Sequence, residues 1–201
     1  MSVDFFPPFG IDSDQQTLIA LHGWGQKIGG WIDYLNFEKM SGLTQFCSAT
    51  QRNLVYPISS NRTWYAVNTW NQIKEKAKKI NSYVRSLKER SPEMFVTLAG
   101  FSDGGRIAQV CLAMEPDLYN HTVIHSARFS ANEIPYVVHT VKNKRITVVV
   151  GDNDFKFNRH DAELIVNYYR KNNSWVERLI VPDLGHAWAK SWNPIIFSLE
   201  K

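Results

Sequence analysis

The 201-residue sequence holds two cysteines, no internal repeat, no low-complexity tract and no apolar run long enough to cross a bilayer. Each absence excludes something. Cys47 and Cys111 cannot build a disulfide framework and have no metal-type spacing, so two reduced thiols are expected, with one disulfide as the alternative. A membrane-crossing helix needs about 20 apolar residues, so no integral membrane association is expected. The start, Met1-Ser2-Val3-Asp4-Phe5-Phe6-Pro7-Pro8, carries an acid where an export signal carries positive charge, and it sustains no apolar segment. A cytoplasmic location is the expectation. The excess of one charge sign is small too, a formal net charge of +4. Aromatic residues are plentiful but are not interleaved with basic ones, so no nucleic-acid partner is expected.

What is present is an ordinary globular composition, 44% apolar and 21% charged, at a length that buries a core without staples. The positive charge gathers between Lys74 and Arg90, around Trp70, Ile73, Ala77, Ile80, Val84 and Leu87. That three-four spacing predicts an amphipathic helix over about 68–89 with a solvated basic face.

Short apolar runs alternate with helical patterns along the chain. After an irregular start, strands are predicted at 16–22, 52–58, 94–99, 121–126, 145–150 and 175–181. Helices are predicted from Trp31 to Lys39, over 68–89, from Arg106 to Met114, from His160 to Lys171 and from Pro194 to Lys201. This alternation implies an α/β fold, a mostly parallel sheet of about six strands with helices on both faces. In such sheets ligands bind at the carboxyl ends of the strands.

The chemistry-bearing residues fall at that edge. Gly100-Phe101-Ser102-Asp103-Gly104 is a G-x-S-x-G turn between a strand and a helix, the context in which the pattern makes a nucleophile elbow. Gly100 and Gly104 remove side chains that would collide with the neighbouring strand and helix. A serine hydroxyl needs a base within reach, and the base needs a group that fixes its tautomer. His186, in the loop Leu184-Gly185-His186-Ala187-Trp188, can be that base, with Gly185 letting the backbone turn the imidazole toward Ser102. Asp152 and Asp154, after the 145–150 strand, both qualify as the acid. The order Ser, Asp, His is that of the α/β-hydrolases. His22 reads as a structural residue of the first turn, His139 and His160 as surface residues. His121 and His125 share a strand face but lack a third metal ligand, so no metal site is expected.

Together, Leu21-His22-Gly23-Trp24-Gly25, the elbow, Gly151-Asp152-Asn153-Asp154 and Gly185-His186 resemble the α/β-hydrolase superfamily over nearly the whole chain. More narrowly, the sequence resembles the phospholipase/carboxylesterase group, which includes acyl-protein thioesterases, and its dienelactone hydrolase and feruloyl-esterase neighbours. The resemblance implies one α/β-hydrolase domain over 1–201 in a minimal form without a large cap, and no cofactor. It also implies Asp154 as the acid and the backbone N–H groups of Trp24 and Asp103 as the oxyanion hole. Thr63-Trp64-Tyr65 is similar to an aromatic segment bordering the family's cleft, and with Trp24, Trp31 and Trp188 it would form an aromatic mouth. Antiparallel strands at the sheet edge are expected to be reduced or absent. The expected activity is a serine esterase or thioesterase acting on a small-molecule or polymer-linked ester, as a monomer or homodimer. A catalytically silent scaffold serving as a binding or regulatory module is the alternative.

Overall fold

The computed structural model describes residues 3–7, 10–24, 38–59, 64, 70–129, 134 and 141–197. Apolar, often β-branched runs form the strands β2 (Thr17–Leu21), β3 (Asn53–Ser59), β4 (Val96–Phe101), β5 (His121–His125), β6 (Arg145–Gly151) and β7 (Trp175–Val181). These six are parallel, and β1 (Val3–Phe6) adds an antiparallel edge against β3. The order is β1-β3-β2-β4-β5-β6-β7. β2, β4 and β5 are buried throughout, as covered parallel strands must be.

The chain moves from β2 outward to β3, then crosses back to β4 on the other side of β2, so the connection direction reverses between β2 and β4. Register levels the carboxyl ends there. Leu21 pairs with Gly100, Phe101 with His125, His125 with Val149, and Gly151 with Val181. The residues that follow these strands therefore emerge side by side.

Besides helical residues 38–41, the described residues form α1 (Leu43–Ala49), α2 (Trp70–Arg90), α3 (Asp103–Met114), α4 (Arg159–Lys171) and α5 (Asn193–Ile196). Ile73, Ala77, Ile80, Val84 and Leu87 turn α2 into one core, together with Ile107 and Val110 of α3 and Ile165 and Val166 of α4. Leu43, Phe46 and Cys47 of α1 join Trp188, Trp192, Ile195 and Ile196 in the other. A hydrogen bond from Asn81 Nδ2 to the Cys111 carbonyl (3.2 Å) pins α2 to α3, and one from Tyr119 Oη to Asn81 Oδ1 (2.6 Å) ties α2 to the segment before β5.

Several differences from the sequence reading have local causes. The start is not irregular: Val3–Phe6 pairs with β3 as a four-residue antiparallel edge, the reduced form expected, which brings the sheet to seven strands. Leu43–Ala49 forms a helix too short for its periodicity to stand out, entered through left-handed Gly42 (φ 62°). Lys76 is not part of the solvated basic face; it is buried, and burial lowers its pKa. The helix expected over Trp31 to Lys39 lies largely outside the described residues, although 38–41 are helical, and so do His139 and residues 198–201. Among the described residues, no helix is long and apolar enough to cross a membrane.

Cys47 and Cys111 are buried and unpaired, in the cores on opposite faces of the sheet. Burial raises both thiols, Cys47 to about 12. A water-soluble disulfide reagent is therefore expected to leave the native protein unmodified and to titrate both thiols once denaturant unfolds it.

Burial also lowers three histidines, His22 and His121 to about 4 and His125 to about 3, from the ordinary 6.5. Below pH 6.5 the unfolded chain takes up protons that the folded chain refuses, so their stabilisation is full above pH 6.5 and is lost as pH falls toward 4. Each histidine contributes a slope of about 1.4 kcal/mol per pH unit in that window. Urea unfolding between pH 7 and pH 4.5 is expected to show this decline, shallower in His121→Gln by about one histidine's share.

Candidate active site

Ser102 closes β4 and caps α3, and its backbone is held at φ 54°, ψ −118°, a strained conformation for a residue with a Cβ. The sharp turn is possible because backbones meet where side chains are missing. A Cβ on Gly100 would lie 2.3 Å from the Gly104 carbonyl oxygen, and one on Gly104 would lie 2.2 Å from the Leu21 carbonyl oxygen. Gly105 is equally constrained, with Ala127 Cβ 2.5 Å away. Ser102 N–H donates to the His125 carbonyl (2.9 Å), which ties the elbow to the end of β5.

Two further strands deliver the candidate base and the candidate acid. His186 Nδ1 lies 2.9 Å from Asp154 Oδ2, and His186 Nε2 lies 3.1 Å from Ser102 Oγ. Burial raises the Asp154 pKa, but the Phe157 N–H, His186 and the Ser126 hydroxyl outweigh it and leave the carboxyl below its ordinary value. Asp154 Oδ1 accepts the N–H groups of Lys156 and Phe157, each at 3.0 Å. An ionised carboxylate only accepts, so the His186 proton sits on Nδ1 and Nε2 is free to accept from Ser102. Asp152, the other candidate acid, is exposed and is not brought to His186.

The turn after β2 lies against the elbow. A Cβ on Gly23 would stand 2.9 Å from the Phe101 ring and 3.3 Å from Ser102 Cβ. Asp103 opens α3, at the positive end of the helix dipole beside Ser102. Trp24 is 74% exposed at this edge.

Other expected rim residues are placed differently. Trp64 is wholly buried: its Nε1–H donates to the His22 carbonyl (2.6 Å) and its ring stacks on His22 at 4.6 Å, so it supports the first turn from beneath and offers nothing to a substrate. Trp188 is also buried, packed on Phe101 at 5.1 Å and on Trp192 at 5.5 Å, although it borders a groove beside His186. The Trp64 indole satisfies core packing that a sequence cannot distinguish from a cleft lining. Tyr65 and Trp31 lie outside the described residues. Gly185 does not supply conformational freedom, since the left-handed residue of that loop is Asp183 (φ 55°). His160 is exposed, and His121 Nε2 bonds Thr147 Oγ1 (2.8 Å). No group of three metal-ligating side chains occurs among the described residues.

A family model described as phospholipase/carboxylesterase matches residues 9–195. The chain belongs to the phospholipase/carboxylesterase family. Membership makes it a carboxylesterase-type hydrolase with the α/β-hydrolase fold. A phospholipase/carboxylesterase from Dyadobacter fermentans is 15% identical with TM-score 0.67, over 92% of this chain and 88% of that one. SOBER1 of Arabidopsis thaliana is 16% identical with TM-score 0.69, over 92% and 96%. A Bacillus cereus carboxylesterase is 16% identical with TM-score 0.67, over 94% and 88%. At these identities the likeness concerns the fold. A sequence search of curated proteins gives no match.

Around Ser102, His186 and Asp154 lie residues that sequence reasoning missed. Phe101 packs on the His186 ring at 4.8 Å and Phe157 at 5.1 Å, and Phe155 is 94% exposed next to Asp154. A groove of about 600 Å³, lined by Met40, Phe101, Leu184, His186, Trp188 and Lys190, runs beside the base. Of Ser102, His186 and Asp154 the groove touches His186, and the slightly larger hollow of about 630 Å³ between α4 and β7 touches none of them. Nothing in local sequence distinguishes these aromatics from core residues.

The close approach at the elbow is testable on stability. Gly104→Ala meets fixed backbone atoms and is expected to destabilise by about 3 kcal/mol or more in urea unfolding. Gly185→Ala, whose Cβ meets only the Asn153 carbonyl oxygen at 3.8 Å, is expected to be near neutral.

Proposed function

We propose that this chain is a cofactor-independent serine hydrolase that cleaves a carboxylic ester, with a thioester as the related substrate, through an acyl-enzyme intermediate. The observation that carries the reading is the continuous Ser102–His186–Asp154 contact, at 3.1 Å and 2.9 Å. Ser102 Oγ attacks the carbonyl carbon while His186 Nε2 takes its proton. The tetrahedral oxyanion is held by the backbone N–H groups of Trp24 and Asp103. His186 then protonates the leaving alcohol or thiol as the C–O or C–S bond breaks. Water, deprotonated by His186, attacks the acyl-enzyme, releases the acid and restores Ser102. Asp154 keeps the proton on Nδ1 and stabilises the imidazolium.

Exposed Trp24 and Phe155 support an accessible ester, on a small molecule or a polymer, as the substrate. The two unpaired buried thiols fit a reducing compartment, which supports a cytoplasmic location.

Hydrolysis of p-nitrophenyl acetate, butyrate and octanoate tests the reading. Wild type is expected to turn over; Ser102→Ala is expected to lose activity by about 10³-fold or more, Asp154→Asn by about 10⁴-fold, and Asp152→Asn to stay near wild type. Folded wild type that neither hydrolyses these esters nor forms a fluorophosphonate adduct on Ser102 would replace this reading with the silent scaffold.

A further inference from the structure

A second tier of hydrogen bonds links the loop that carries His186 to the end of β5, beside Asp154. It starts three residues beyond His186. The backbone N–H of Ala189 donates to His125 Nε2 at 2.9 Å. A backbone amide can only donate, so Nε2 is the acceptor and the single proton of a neutral His125 sits on Nδ1. Burial keeps the ring neutral by pushing its pKa down to about 3. Nδ1 lies 3.1 Å from Ser126 Oγ, so His125 donates to that hydroxyl. The hydroxyl keeps its own proton for the Asp154 carboxylate, which it helps to hold below its ordinary pKa. From Asp154 the bonds return to His186 Nδ1. Because His186 and Ala189 share one loop, the bonds form a circuit.

Ser126 holds an unusual position. It follows β5 with φ 46°, a left-handed conformation that glycine adopts without strain, and it is 2% exposed. Its N–H donates to the Val149 carbonyl (2.8 Å), which fixes the turn beside β6 and brings the hydroxyl to the acid that follows β6. A side chain kept at a strained, buried position suggests that the hydroxyl is needed there. The His125 ring packs against Phe101 at 5.4 Å and Trp188 at 5.7 Å, so it cannot swing away from its two partners without opening the core beneath His186.

We propose that Ser126 and His125 are positioning residues that aim Asp154 at His186 and link that aim to the seating of the 182–192 loop. This rests on reading Ser102, His186 and Asp154 as the reacting triad. Neither residue touches substrate. Both act through Asp154, so their loss lowers kcat and leaves KM unchanged.

The test compares Ser126→Ala, Ser126→Gly, His125→Phe and the Ser126→Ala/His125→Phe double variant on p-nitrophenyl butyrate, with thermal unfolding alongside. The downfield proton resonance of His186 Nδ1–H is recorded for wild type, Ser102→Ala and both Ser126 variants. Both Ser126 variants are expected to lose about tenfold in kcat at unchanged KM, and the double variant to lose no more than His125→Phe alone. Ser126→Gly separates backbone from hydroxyl, because it relieves the left-handed strain yet removes the donor. Wild-type kcat in Ser126→Gly or Ser126→Ala, or a loss confined to KM or to thermal stability, would overturn the proposal. The resonance is expected to persist in Ser102→Ala and to broaden in both Ser126 variants; an unchanged signal would also overturn it. Wild type without ester turnover would overturn the proposed reaction instead, while the resonance would still read the Asp154–His186 bond.

Discussion

The site depends on how closely the first turn of α3 lies against β2 and β4. Backbone atoms of Gly100, Gly104 and Leu21 are near enough that no side chain fits between them. That contact fixes Ser102 in its strained conformation and sets the turn after β2 beside it. Strain of about 1–3 kcal/mol at a single residue persists only where its surroundings over-determine it. Here the buried interior of a seven-stranded sheet does so.

The same edge collects groups from β2, β4, β5, β6 and β7 because the register keeps their carboxyl ends level. No side chain needs to reach far. Gly151 shows a similar constraint on the acid side, since a Cβ there would stand 1.9 Å from the Leu184 carbonyl oxygen, in the loop that carries His186. Asp154 and His186 are thus placed by a backbone contact as well as by their hydrogen bond. Neutral His125 and a carboxylate held ionised by donors make the polar interior directional: each bond has one possible donor.

Much of the fold was legible because the signals were long or repeated. The α2 stripe from Ile73 to Leu87 spans several turns, and the run from Arg145 to Val150 has no competing period. Short elements were harder to read. Val3–Phe6 became a strand only by finding β3, and Leu43–Ala49 is too short for helical periodicity to register. The aromatic residues were least legible. Trp64 and Trp188 differ from Trp24 in no local respect, yet two are buried and one is exposed, because an indole suits a core and a cleft equally.

By itself the sequence determined the parallel α/β alternation, the sharp glycine-flanked turn at Ser102 and the chain order of the candidate nucleophile, acid and base, since periodicity, glycine spacing and order are local properties. Only the tertiary structure decided which aspartate meets His186, which tryptophans face solvent, and what stands behind the acid. Those depend on strand register and on backbone approach between segments far apart in the chain. Ser126 is the clearest case: in the sequence it is a small residue after a strand, and its hydroxyl gains meaning only when β5 and β6 lie side by side.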